Sequence, residues 1–192
     1  IANPVEIIAM VTQQITGLSP EQVIGTGTFL DTLRLNYIVN QKYPNLDAVK
    51  MTAFGEHGSG VFISESFSSI NGQNAKNYMT AKHLAELVDE VKGAAHNIKK
   101  TQGATIYGVS ACAVYLFNAY LSPTISQVPF SMQLPKAWCK QLELPQLYLS
   151  LPGEISCEGA FFDVNYAPSK AESEKLLLAG KSLAACIPER YL

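Results

Sequence analysis

Three side chains in this sequence carry the chemistry of a proton-transfer and anion-binding site. His57 lies within Gly55-Glu56-His57-Gly58-Ser59-Gly60, a glycine-rich link between two strand-like runs. An imidazole flanked by glycines on a loop is open to a ligand, whereas His83 and His96, on the polar side of a long helix, read as exposed spectators. Asp31 and Arg34 are three residues apart near the start of a helix and so project from one face. Such a pair is ordinarily a solvated surface bridge worth about 0.5 kcal/mol. Here it is embedded among Phe29, Leu30, Leu33 and Leu35, where an arginine needs a carboxylate or an anionic ligand to offset its desolvation. A carboxylate such as Asp31 beside His57 would fix the ring tautomer and raise its pKa, leaving a group that donates protons near neutral pH.

Gly25-Thr26-Gly27 follows a strand-like Val23-Ile24 and opens the helix that carries Asp31, the setting of a dinucleotide-binding turn. The third glycine of that fingerprint is replaced by Leu30, so the reading is rejected. Two others stand: a tight turn whose glycines let the backbone approach something closely, or a purely structural turn.

The elements that hold these residues follow from apolar periodicity. Val5, Ile8, Val11 and Ile15 recur at helical spacing between Pro4 and Gly17, and a second helix runs from near Phe29 to about Tyr43. Residues 48–54 and 61–67 read as strands on either side of the His57 link, followed by a turn at Asn71-Gly72. Leu84, Leu87, Val88, Val91 and Ile98 mark a long helix, which Gly103 and Gly108 separate from an apolar helix expected to be buried nearly all round. Segments around Val128 to Met132, Leu147 to Leu151 and Phe161 to Val164 predict an antiparallel meander, and Ser169-Lys170-Ala171-Glu172 is a capping box opening a last helix. Helices mixed with hairpin-linked strands predict an α+β class.

With 47% hydrophobic and 16% charged residues, the 192-residue chain has the material for one globular domain. Fourteen basic against sixteen acidic residues give a charge of -2, which offers no footprint for nucleic acid. The longest apolar run, Tyr107 to Leu121, falls short of the ~20 residues a bilayer requires, so no membrane partner is expected. Cys112, Cys139, Cys157 and Cys186 are widely spaced with no nearby histidine in ligand spacing; they read as reduced core thiols rather than metal ligands. With no basic leader ahead of an apolar stretch, a reducing, cytoplasmic setting is expected. The start at Ile1-Ala2-Asn3-Pro4, without Met, leads us to expect a preceding N-terminal half.

Taken together, Asn3-Pro4-Val5-Glu6, the run from Val23 to Arg34, Gly55-Glu56-His57-Gly58 and Gly103-Ala104-Thr105 resemble, in order and spacing, the L-lactate dehydrogenase family, kin to L-malate and L-2-hydroxyacid dehydrogenases. The likeness runs along the whole chain. It implies the C-terminal, substrate-binding domain of that family over residues 1–192, with antiparallel sheets packed against long helices and the nucleotide-binding domain outside these residues. It further implies that His57 exchanges a proton with the substrate C2 oxygen, that Asp31 orients it, and that Arg34 clamps the substrate carboxylate in a bidentate fork. By the same resemblance Thr105 lines the substrate pocket, Val109 and Asn3 lie beside the nicotinamide of NAD, and the Asn3–Pro4 peptide is cis. The implied partners are a small 2-oxo or 2-hydroxy acid, the chain's own nucleotide-binding domain and further copies in a homo-oligomer; residues 1–192 alone are expected not to turn over.

Departures from the family pattern qualify this picture. Ser59-Gly60 stand where Asp-Ser usually follows, which removes an acidic neighbour of the histidine, and Leu33 is bulkier than the usual alanine. Asn36 and Lys50 occupy the places of the basic residue and histidine of fructose-bisphosphate-activated members, so weak or no activation is expected. A large fall in substrate half-saturation on adding that effector would overturn this. Rival readings are a dehydrogenase for a larger L-2-hydroxy acid, one for L-malate (disfavoured because Arg34 and Arg190 are the only arginines), and a degenerate, non-catalytic binding or assembly module.

Overall fold

A computed structural model describes residues 3–163 and 165–188. Helix α1 (Val5–Thr16) follows a cis Asn3–Pro4 peptide and ends at Gly17 in the left-handed conformation. Helix α2 (Phe29–Lys42) leads into a two-stranded hairpin, β1 (Ala53–Phe54) with β2 (Phe62–Ile63), whose connection is the His57 loop. A tight hairpin of β3 (Ser69–Ile70) and β4 (Gln73–Asn74) turns at Asn71-Gly72, both with positive φ. Then come α3 (Ala81–Gln102), α4 (Ile106–Leu121), the strands β5 (Ser126–Gln133), β6 (Tyr148–Ser156) and β7 (Gly159–Phe162), and the helix α6 (Lys170–Ala184), with a short α5 (Lys136–Leu142) between β5 and β6.

Strands β5, β6 and β7 form an antiparallel meander in that order, as the sequence predicts; Val164 and Arg190 lie outside the described residues. Two apolar clusters make the core. One gathers Phe130, Leu149 and Leu151 of the meander with residues of α1, α4 and α6; the other joins Leu35 and Val39 of α2 to Met51, Ile63 and Ile70 and to Leu87 and Val91 of α3. Helix α2 and the β1–β2 hairpin contribute to both clusters, so the Asp31 and His57 segments run along the seam.

Polar side chains set the register across this seam. Thr28, Thr32 and Asn36, one turn apart on α2, face β1: Thr28 Oγ1 donates to the Ala53 carbonyl at 2.6 Å, and Thr32 Oγ1 accepts the Ala53 N–H at 2.9 Å. Asn36 accepts the Met51 N–H at 2.9 Å and donates to the Met51 carbonyl at 2.7 Å. These bonds satisfy strand groups that a two-residue ladder leaves unpaired.

Several expectations are corrected. Helix α1 buries Val5, Glu6, Ala9 and Met10, a face rotated from the predicted stripe, and leaves Ile15 79% exposed, because its partners β5 and β6 lie on the Glu6 side. Helix α4 is not buried all round: Cys112, Leu116 and Ala119 form its buried stripe, while Tyr107, Val114, Phe117 and Leu121 are exposed. Among the described residues nothing covers that second face. Cys112 and Cys139 are buried thiols as expected, but Cys157 and Cys186 are exposed. The segment at Val23 is one bridge, Gly25 to Ser131, rather than a strand, and the runs at 48–54 and 61–67 shrink to two residues each, flanked by isolated main-chain bonds such as Lys50 with Ser69 and by side-chain bonds such as Asn36 with Met51. No described helix is long and apolar enough to cross a membrane.

Candidate active site

Each turn that carries a candidate residue is shaped by close packing. In the Gly25-Thr26-Gly27 turn, Gly25 exchanges main-chain hydrogen bonds with Ser131 at 2.8 and 3.0 Å, and Ser150 Oγ accepts the Thr28 N–H at 2.9 Å. Gly27 has φ +49, and a Cβ there would stand 2.1 Å from Ser150 Oγ. What the turn approaches is therefore the meander, which leaves no cradle for a phosphate and points α2, with Asp31 in its first turn, across the seam.

The His57 loop is built the same way. Gly55, at φ +100, bridges Ser150 of β6 through main-chain bonds of 2.9 and 2.8 Å, which tie the loop to the sheet. The Glu56 carboxylate folds back over the loop and accepts the Gly60 N–H at 2.7 Å, so an acidic group serves the loop although Ser59-Gly60 supply none. Much of the glycine content thus answers to loop packing as well as to access.

At the centre, His57 Nδ1 donates to Asp31 Oδ2 at 2.5 Å. A carboxylate on Nδ1 fixes the proton there, leaving Nε2 to exchange a proton with a ligand. Asp31 is 4% exposed, and its other oxygen lies 3.8 Å from Arg34 Nη1 one turn along α2. Burial pushes the His57 pKa down, but the Asp31 hydrogen bond and charge outweigh it and the net direction is up. The imidazolium is therefore retained above the ordinary histidine range.

Asn3, Asp31, Arg34 and His57 line one cavity of about 300 Å³, with Gly58, Ser59 and Val61 on one side and Val91, Lys92 and Ala95 of α3 on the other. Four of the six residues singled out from sequence are thus brought together. Thr105, at the N-cap of α4, and Val109, within its first turns, are half-buried but do not line this cavity. His83 bonds with the Thr80 N-cap of α3 and packs against Tyr43, and His96 is exposed; neither reaches the site. Asn36, in the place of an effector-binding basic residue, is committed to the Met51 main chain.

Sequence reasoning missed two charged neighbours. Lys92 is exposed on α3 and looks like a solvated lysine from periodicity alone; only packing of α3 against α2 brings it to the cavity. Glu6 sits on the buried face of α1, and its Oε1 accepts the His57 main-chain N–H at 3.0 Å. The signals available for Glu6 were its place in the Asn3-Pro4-Val5-Glu6 run and its position beside the apolar Val5.

The dyad, the guanidinium beside it and the fold that carries them agree with a match of residues 28–190 to the lactate/malate dehydrogenase α/β C-terminal domain. The chain belongs to the lactate/malate dehydrogenase family. It is similar, at 30% identity across 99% of its length, to an L-lactate dehydrogenase of Streptococcus mutans, of which the match covers 59%. Among solved structures, a lactate dehydrogenase from a Medee basin deep-sea metagenome library superposes with a TM-score of 0.85 at 26% identity, covering 95% of this chain and 60% of that one. A malate dehydrogenase from Aeropyrum pernix gives 0.83 at 25% identity, covering 99% and 62%. The chain thus spans about three fifths of the length of these relatives, and its fold is that of the family's C-terminal domain.

Proposed function

We propose that this chain is the substrate-binding and catalytic half of an NAD-dependent L-lactate dehydrogenase that interconverts pyruvate and L-lactate. The observation that carries the reading is the bond between His57 Nδ1 and Asp31 in a cavity that also holds the Arg34 guanidinium. Arg34 binds the substrate carboxylate through two parallel N–H donors, and Asp31 keeps the guanidinium in place. With the carboxylate held, the C2 oxygen lies toward His57, which delivers a proton to the developing alkoxide in reduction and removes it in oxidation. Asp31 stabilises the imidazolium formed in oxidation and holds the ring in the tautomer that leaves Nε2 free. Thr105 is assigned to the substrate side chain, which requires the N-terminus of α4 to lie over the cavity once substrate is bound.

NAD supplies the hydride acceptor and donor. Asn3, whose amide is on the cavity wall, supports one edge of it, and Val109 is assigned to the nicotinamide although it does not line the cavity; the Gly25 to Gly27 turn is filled by Ser131 and Ser150, which leaves no room for phosphates. The phosphate-binding part is accordingly assigned to a nucleotide-binding domain outside these residues, and assembly of both halves in a cytoplasmic homo-oligomer completes the proposal.

The test is steady-state reduction of pyruvate by NADH in the protein at its natural length. Arg34→Lys, which keeps the charge and loses the fork, is expected to raise the pyruvate KM by about tenfold or more, consistent with one charge-assisted hydrogen bond. An unaltered KM would remove Arg34 from the carboxylate site. Lys92 on the cavity wall favours a second reading, a substrate with another carboxylate. Lys92→Ala should then depress kcat/KM for oxaloacetate several-fold and leave pyruvate untouched; equal effects on both would eliminate that reading.

A further inference from the structure

Glu6 is 1% exposed, and its two carboxyl oxygens have unequal surroundings. Oε1 accepts the His57 main-chain N–H at 3.0 Å, while Oε2 is enclosed and has no hydrogen-bond partner among the described residues. A buried carboxylate with donors on only one of its oxygens is costly, so the group is poised between charged and neutral forms. The charged groups that bear on it are Glu56, which opposes its ionisation, and His57, which favours it. Of the strands packed on α1, β5 has no titratable side chain; on β6, Glu154 accepts from Gln127 at 3.0 Å and the Tyr148 phenol, pushed up to about 12 by burial, stays neutral. Burial, outweighing the bond from His57, raises the Glu6 pKa to about 7, while the His57 pKa is raised by its bond to and the charge of Asp31 and, further, by the charge of Glu6.

We propose that Glu6 is a positioning residue for His57: from α1 it anchors the main chain of the glycine-flanked loop, and its own protonation sets how firmly the imidazole holds its proton. The coupling follows from charge. As pH rises, Glu6 ionises and its negative charge favours the imidazolium, so His57 releases its proton later than Asp31 alone would dictate. Glu6 and His57 then titrate as a coupled pair, with Asp31 bonded to the ring. The functional consequence rests on the reading of His57 as the acid–base group; the coupling itself does not.

The experiment is NMR titration of ¹³C-labelled histidine in the protein at its natural length, with His57 assigned by loss of its signal in His57→Gln. The expected wild-type curve has an inflection shared with Glu6 near neutrality. Glu6→Gln abolishes that inflection and lowers the His57 midpoint by roughly 0.5, about a threefold loss of proton affinity, while Glu6→Asp restores part of it. A folded Glu6→Gln protein with unchanged His83 and His96 curves and an unmoved His57 curve overturns the proposal. Should Glu6→Gln not fold, ¹³Cδ-labelled glutamate in the wild type decides: Glu6 titrating below about 5 with no response at His57 refutes it. Loss of the dehydrogenase reading would show separately, as an unchanged turnover in His57→Gln with this coupling intact.

Discussion

With His57 as the proposed acid–base group, glutamine in its place in the protein at its natural length is expected to lower turnover of the 2-oxo acid by at least about 100-fold while NADH binding persists. The amide retains a donor for Asp31 and roughly the size of the ring, but it has no proton to deliver to the developing alkoxide. The loss should therefore fall on kcat more than on KM, since Arg34 still holds the carboxylate. In the wild type, the raised His57 pKa predicts opposite pH dependences for the two directions. Reduction needs the imidazolium, so it persists through the ordinary histidine range and fails as pH rises past the elevated value; oxidation needs the neutral ring and gains over the same interval. Stopped-flow and steady-state rates of NADH consumption in reduction and of NADH formation in oxidation measure both effects. A turnover number unchanged in His57→Gln would exclude the ring as the acid.

Glu172→Ala is expected to destabilise the protein by about 2–4 kcal/mol. The Glu172 side chain is 0% exposed, at the start of α6, and serves far more than its own helix cap. Its Oε1 accepts from Ser64 Oγ at 2.6 Å and from the Glu65 N–H at 3.1 Å; its Oε2 accepts from Ser66 Oγ at 2.5 Å and from the Ser169 N–H at 3.0 Å. Alanine leaves the buried Ser64 hydroxyl and the half-buried Glu65 N–H unpaired, removes the bonds to the more exposed Ser66 and Ser169, and cuts the tie between α6 and the chain that follows β2. Burial pushes the Glu172 pKa up, but the bonds from Ser64, Ser66 and Ser169 outweigh it and the net direction is down. A depressed folded-state value means that this stabilisation is present above the ordinary carboxyl range and is lost as pH falls through the lower value. Urea unfolding of wild type and variant at pH 7 and pH 3 checks both statements. A loss below about 1 kcal/mol at pH 7 would show that the network is dispensable.

Glu6 bears on stability with the opposite sign. Its raised value means that ionisation opposes folding, so its contribution favours the folded state below the ordinary carboxyl range and declines as pH climbs toward about 7. The two buried carboxylates thus pull the pH profile in different directions, because one has donors on both oxygens and the other on one.

Local signals located the pieces of this protein well. The Gly17 stop, the Asn71-Gly72 turn and the Ser169 to Glu172 box each need a backbone or capping geometry that neighbouring residues supply by themselves, and all three stand where the residues predict. The pairing of Asp31 with Arg34 is likewise a matter of helical spacing, and an arginine among leucines points to a partner before any fold is known. Period-based strand lengths failed around β1 and β2, where side-chain bonds from Met51 to Asn36 and from Ser66 to Glu172 alternate with single main-chain bonds, a mixture that apolar patterning does not register.

The sequence alone therefore pointed to the residues with the chemistry and the elements that carry them: the order of helices, the meander, and the Asp31, Arg34 and His57 candidates that line one cavity. Tertiary packing decided who faces whom. It turned α1 so that Glu6 points under the His57 loop, brought Lys92 across from α2, drew Gly27 onto Ser150 and left one side of α4 uncovered. The physical reason is that helical periodicity defines a face only up to rotation about the axis. The orientation adopted depends on what the partner sheet or helix offers, and those partners lie tens of residues away in the chain.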